Sequence, residues 1–309
     1  MNTRLNIALF MTMVMTGLCT WAQSGLVISM KNGQTLKFES SNVKAITFDQ
    51  EKPPVPDAPS IGDFYYSDGT WSTELDKSKT PIAVIFHVGD PGADDEGLRA
   101  DHPGCTHGLA IALNELTAAW HARYETYGSS HTVSDWLTAN GLPAVKSAND
   151  DAAPVNRRTG YTTSKYLRAF NAAPDNAAWP VTAMSAVDSY SATVPAPASS
   201  SGWYLGSGRE MVLACFGEID GNITSMGRRD AVIRDLLNGR FAQLPAADVT
   251  PFDTTAAKTY WTSNEYGVET EGLWIDRAWG VYFMRNRVAV SGSMKDWSEF
   301  ARVRPILAF

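Results

Sequence analysis

The five histidines of this 309-residue chain, His87, His102, His107, His121 and His131, fall in one stretch, and His102, Cys105 and His107 stand close enough to suggest a metal site. Imidazole and thiolate are zinc ligands, but a structural zinc site needs four ligands in a recognisable spacing, and this spacing matches none. Just upstream, Asp90, Asp94, Asp95, Glu96 and Asp101 lie in a glycine-containing loop and offer the oxygens that calcium takes. Their order is not that of an EF-hand, and an acidic, solvated loop accounts for them. Gly206-Ser207-Gly208 places a serine between glycines without the intervening residues of a nucleophile elbow. Ser207 instead stands three residues before Glu210, the spacing of a helix capping box. Sequence places no two carboxylates across a cleft, so nothing supports a glycosidase. The chain reads as a non-enzyme, with no cofactor and no metal.

The elements that position these residues begin after a leader. Met1 to Arg4 is a short basic start, Leu5 to Leu18 carries no charge, and Thr20-Trp21-Ala22 suits a signal-peptidase cut before Gln23. A lipoprotein anchored through Cys19 is the lesser alternative, since Leu18 stands where a small residue is needed. Secretion or display at the cell surface follows, with no membrane insertion after cleavage of residues 1–22. The formal charge is −7, and loss of Arg4 makes the mature chain one unit more negative, which disfavours nucleic acid and anionic membranes as partners. Cys105 and Cys215 remain; in an exported protein the pair permits one disulfide, and two buried thiols are the alternative.

Residues 23–50 read as a β-hairpin module: Leu26 to Met30 alternates, Asn32-Gly33 turns, Thr35 to Phe38 alternates again, and Val43 to Phe48 is a third candidate strand. A proline-rich linker, 51–60, separates it from a domain over 61–309. There the patterning predicts strands over Pro81–Val88 and Gly108–Leu113, then a helix through Leu116, Trp120 and Tyr124. Residues 125–158 read as surface loops. Further helices are expected from Thr162 or Thr163, from Pro180, from Ser207, and from Arg228 to a stop at Gly239. The last fifty residues are strand-like and aromatic. The class is α+β, with the domain's two ends able to lie side by side in one sheet.

Several strings within 61–309 resemble a family of bacterial surface domains, known from the C-terminal domain of a Legionella collagen-like adhesin and from fibrobacter major paralogous proteins. They are Asp63 to Ser72, Pro81 to Phe86, His107 to Leu113, Gly160 to Thr163, Gly202 to Ser207, Tyr260 to Tyr266, Ala278-Trp279 and Val303 to Phe309. Gly206 departs from the family's usual proline and Asn264 from its small polar residue. The resemblance implies a C-type-lectin-like fold. The related formylglycine-generating enzymes depend on cysteines near their C-terminal region, and none follows Cys215 here. The hairpin also resembles N-terminal segments of exported Bacteroidetes proteins.

Trp and Tyr supply large rigid contact faces with a polar handle. Trp203, Leu205, Trp261, Trp279 and Ile306 lie in the family strings and are expected in the core. Trp274, Tyr282, Arg285 and Trp297 lie off those strings and are expected to form an exposed ligand-binding face. The leading functional expectation is a surface recognition or adhesion protein whose partner is a glycan or a surface protein. The alternative is a structural subunit of a fimbrial or other surface assembly, which the hairpin's open edge favours.

Overall fold

The computed structural model describes residues 25–29, 33–39, 58–121, 132–147, 154–254, 258–267, 276–283 and 290–309. The chain divides into two compact units between Val55 and Pro56, inside the proline-rich stretch. In the first, β1 (Gly25–Ser29) and β2 (Thr35–Glu39) pair antiparallel from Gly25↔Glu39 to Ser29↔Thr35, with Gly33 in the left-handed region at φ 84°. The third candidate strand, 43–48, lies outside the described residues, as do the leader 1–22 and Cys19.

The second unit contains β3 (Phe64–Tyr66), β4 (Trp71–Ser72), β5 (Pro81–Val88), α1 (Glu96–Asp101), β6 (Gly108–Ala112), β7 (Leu116–Thr117), α2 (Val133–Ala139) and β8 (Lys146–Ser147). The helices α3 (Gly160–Ala172), α4 (Thr182–Thr193), α5 (Gly208–Phe216) and α6 (Val232–Phe241) follow. The chain closes with β9 (Thr259–Tyr266), β10 (Arg277–Tyr282), β11 (Val290–Met294), β12 (Ala301–Val303) and β13 (Ile306–Ala308). One sheet runs β13-β6-β5-β3-β4. The other runs β11-β10-β9-β12-β7, with β8 also paired to β9. The fold is α+β. The domain's first and last strands share a sheet, but β5 and β6 stand between them, so the two ends are not side by side.

Successive side chains of a strand point to opposite faces, and here both faces are covered. Val84, Phe86, Leu109 and Ile111 join Tyr260 and Trp279 in a core under α5 and α6. Ala83, Ile85, Ala110 and Trp261 join Leu167, Phe170 and Val187 of α3 and α4 in a second core. Burial on both faces is why β5 and β6 read as continuous apolar runs without alternation. Trp203, Leu205, Trp261, Trp279 and Ile306 are all core residues, none more than 2% exposed.

Helix starts are fixed by buried carboxylates. Ser207 caps α5 in a capping box with Glu210, as the spacing predicts. The Glu210 carboxylate also accepts from the Gly160 amide, tying the start of α3 to that of α5, and from the Tyr204 hydroxyl at 3.2 Å. Asp95 caps α1 through the Leu98 amide and accepts from the amide and hydroxyl of Thr162 in α3. Glu265 of β9 accepts from the Val133 and Ser134 amides at 3.1 and 2.9 Å, closing the start of α2.

Several elements differ from the sequence reading. Leu116 and Thr117 form β7, paired with Val303 and Arg302 of β12; the four-residue spacing to Trp120 is not a helical face, because Trp120 turns in and donates to the Thr262 carbonyl. Residues 125–158 are not all loop. Thr132 and Asp135 form a reciprocal capping box that starts α2, and Val133 and Leu137 bury its inner side. α3 starts at Gly160, ahead of Thr162, because Glu210 and Asp95 supply its acceptors. α6 starts at Val232 and runs through Gly239 to Phe241, whose buried ring holds the last turn in place.

Burial pushes the Glu210 carboxyl up from 4.5 to about 7. The folded chain then retains a proton that the unfolded chain releases. This contribution to stability is full below about pH 4.5 and is lost as pH rises through about 7. At roughly 1.4 kcal/mol per pKa unit the loss approaches about 3 kcal/mol by pH 8. Urea titrations should show Glu210→Gln flattening the fall in stability between pH 5 and 8. An identical fall in the two proteins would refute the assignment.

Candidate functional site

The residues that suggested chemistry are dispersed and occupied. The five acids of the 90–101 loop serve locally: Asp90 accepts from the Gly92 amide, Asp94 pairs with Arg158 at 2.6 Å, Asp95 caps two helices, and Glu96 lies 4.0 Å from Arg99. Asp101 takes Lys165 and the Tyr161 hydroxyl, which hold its carboxyl below the usual range. His87 sits between Arg158 Nη1 at 3.0 Å and Glu218 at 3.5 Å, and burial lowers its pKa. His102 meets the Tyr161 hydroxyl at 3.0 Å, and the exposed ring of His107 stacks on Phe309. His121 is buried edge-on to Trp179, and burial brings its pKa down to about 4. His131 lies outside the described residues. Among the described residues no three potential ligands converge on a metal position. Ser207 is wholly buried in its capping role.

Cys105 and Cys215 are free thiols, so the disulfide that an exported pair permits is not formed. Each has its own buried setting. Cys105 Sγ faces the Ser199 carbonyl at 3.6 Å, while Cys215 lies on α5 in the core, and desolvation raises both pKa values, that of Cys105 to about 11.

Of the expected ligand face, Trp274 and Arg285 lie outside the described residues. Tyr282 is half-buried, and its hydroxyl stands 3.4 Å from Ser293 Oγ. Trp297 is 38% exposed, and Phe300, 59% exposed, lies 6.4 Å away at 68° between ring planes. Of that face, the described residues leave Trp297 exposed beside Phe300, which lies outside the expected set. The signal was the three-residue spacing of two aromatics in a polar run, Asp296-Trp297-Ser298-Glu299-Phe300.

The pair rides on the crossing from β11 to β12, and its setting is fixed just before it. Lys295, 3% exposed, bonds the fully buried Glu265 carboxylate and lies 5.3 Å over the Trp120 ring. The Lys295 amide donates to Asp276, and its carbonyl accepts from His121. At the far end the Phe300 carbonyl accepts from Thr259. The crossing is thus pinned at both ends while two apolar side chains are left in water.

A separate groove of about 960 Å³ opens between residues 75–82, the end of α4 and residues 243–248. Its floor is Ile82, Leu113 and Leu244, and its rim carries Lys77, Gln243 and Asp248. Behind it the buried Arg304 guanidinium donates to the Leu113 and Thr250 carbonyls and lies 4.1 Å over the Phe252 ring, which makes the closing Arg-Pro segment framework.

No family model matches the chain. It is 24% identical over 227 residues to a Bacteroides ovatus protein named "Putative fimbrium tip subunit Fim1C", a match covering 66% of this chain and 38% of that one. Its structure resembles the crystal structure of a fimbrial protein from Bacteroides ovatus ATCC 8483, with a TM-score of 0.61 at 20% identity, over 81% of this chain and 49% of that one. The chain spans about two fifths to half the length of these relatives. The structural likeness establishes a shared fold.

Exposure separates the aromatics by consequence. Trp297→Ala and Phe300→Ala should leave the denaturation midpoint almost unchanged, within about 0.5 kcal/mol. Trp261→Ala, which removes a wholly buried ring and its hydrogen bond to the Ala118 carbonyl, should cost about 3 to 5 kcal/mol. Comparable losses at Trp297 and Trp261 would place Trp297 in the core.

Proposed function

We propose that this chain is a structural subunit of a fimbrial or related surface assembly, exported through residues 1–22 and acting by contact with neighbouring proteins and not by catalysis. The observation that carries the reading is the fold shared over 81% of the chain with a fimbrial protein. The sequence match to a second protein named for the tip of a fimbrium supports it. So does the dispersal of the ionisable groups into caps, ion pairs and core positions. Among the described residues no helix is long and apolar enough to cross a membrane.

The C-type-lectin-like assignment of 61–309 belongs to the same proposal. The family strings supply β3 to β6, the start of α3, the approach to α5, and β9, β10 and β13. A glycan partner gains less support. Sugar faces stack on flat, accessible rings, whereas Trp297 and Phe300 meet edge to face.

The test is made in cells that produce the chain natively. Surface polymers are sheared off, separated by size and probed with an antibody against residues 61–309, with immunogold labelling of intact cells. The chain should travel with high-mass polymers and label the surface. Recovery only as a free monomer, or only from the cytoplasm, would overturn the reading.

A further inference from the structure

Six large apolar side chains are exposed among the described residues: Ile61, Val88, Val232, Leu236, Trp297 and Phe300. Five of them form two patches. Trp297 and Phe300 make the first, and the segment 296–300 around them holds Asp296 and Glu299 and no base. Val232 and Leu236 make the second, four residues apart and so on one face of α6. Ile61 borders it: its neighbour Gly62 lies so close to Leu236 that a Cβ added there would stand 2.9 Å from the Leu236 side chain. The flanks of this patch are basic: Arg228 and Arg229 are exposed and Arg240 is half-exposed, against Asp230, while Asp235 is taken by the buried Arg234.

The patches sit on different elements of the larger unit, the β11–β12 crossing and α6. α6 packs Leu237 and Phe241 into the core that holds Tyr260. The crossing that bears Trp297 is anchored by Lys295 on Glu265 and Trp120.

We propose that these patches are the two halves of one head-to-tail contact between copies of this chain. The acidic aromatic pair of one copy seats on the arginine-flanked aliphatic face of α6 in the next. Joining two acidic patches would set like charges together, whereas acidic on basic is attractive and sets orientation. Because the halves differ, each added copy leaves a free half at either end, and the contact propagates beyond a dimer. The patches are small by the measure of stable interfaces, so the contact is reversible and salt-sensitive. This inference rests on the assembly reading and specifies a second copy as the neighbour.

Sedimentation velocity over a concentration series at low salt tests it with the full chain. The parent should grow beyond dimers with concentration and fall back toward monomer in high salt. Trp297→Ala/Phe300→Ala and Val232→Glu/Leu236→Glu should each melt like the parent and associate at least about tenfold more weakly. Mixed one to one, they should form heterodimers that grow no further, because each variant keeps the half that the other lacks. If either variant loses its fold, Glu299→Lys and Arg229→Glu replace the pair: each alone weakens association, and mixing restores growth. A parent that stays monomeric, a variant that associates like the parent, or a mixture that stays monomeric overturns the proposal. Native cell fractionation separates the two claims. A chain found in surface polymers whose variants do not complement contradicts this contact alone, and absence from polymers contradicts the assembly reading.

Discussion

The buried pairing of Glu265 with Lys295 is the interaction on which the β11–β12 crossing and its exposed aromatic pair depend. Two opposite charges with at most 3% of either side chain exposed are costly to desolvate, and they persist inside a protein only where attraction and further hydrogen bonds offset that cost. Here the offsets are visible. Glu265 takes two amides at the start of α2, where the helix dipole favours a negative group, and Lys295 lies over the Trp120 ring. Removing either partner leaves the other buried without its counter-charge, a loss of about 3 to 5 kcal/mol. One ion pair therefore joins the central strand, a helix and the β11–β12 crossing.

That anchoring explains how Trp297 and Phe300 can be both ordered and exposed. An aromatic pair on a loose loop would lose entropy on meeting a partner, whereas a crossing held at Lys295 and at Phe300 has already lost it. Asp95, Glu210 and Glu265 each serve the start of at least one helix, and Arg304 serves two carbonyls behind the groove.

Much of this was legible in the sequence where local rules and tertiary needs agree. The capping spacing of Ser207 and Glu210 gave the start of α5, and the apolar run from Pro81 gave β5. The family strings placed Trp203, Trp261 and Trp279 in the core. Legibility ended where long-range contacts decide. Leu116 and Trp120 have helical spacing, but β12 captures the first as a strand and the Thr262 carbonyl captures the second. α2 carries a readable capping box at Thr132, yet its polar surroundings read as loop because the acceptor for its first amides, Glu265, is more than a hundred residues away. The cysteines followed a compartment argument that says nothing about distance. Trp297 is legible as exposed, being off the strings; Phe300 is marked only by its three-residue spacing from Trp297 in a polar run, which does not by itself bring the two rings together.

Amide hydrogen exchange on Lys295→Met, compared with the parent, tests the central claim most directly. The account predicts that protection falls together at the first amides of α2 and along residues 295–301, while β5 and β6 in the other sheet keep theirs. Unchanged exchange in both of those segments would contradict the claim that this buried pair holds the crossing and its aromatic face in place.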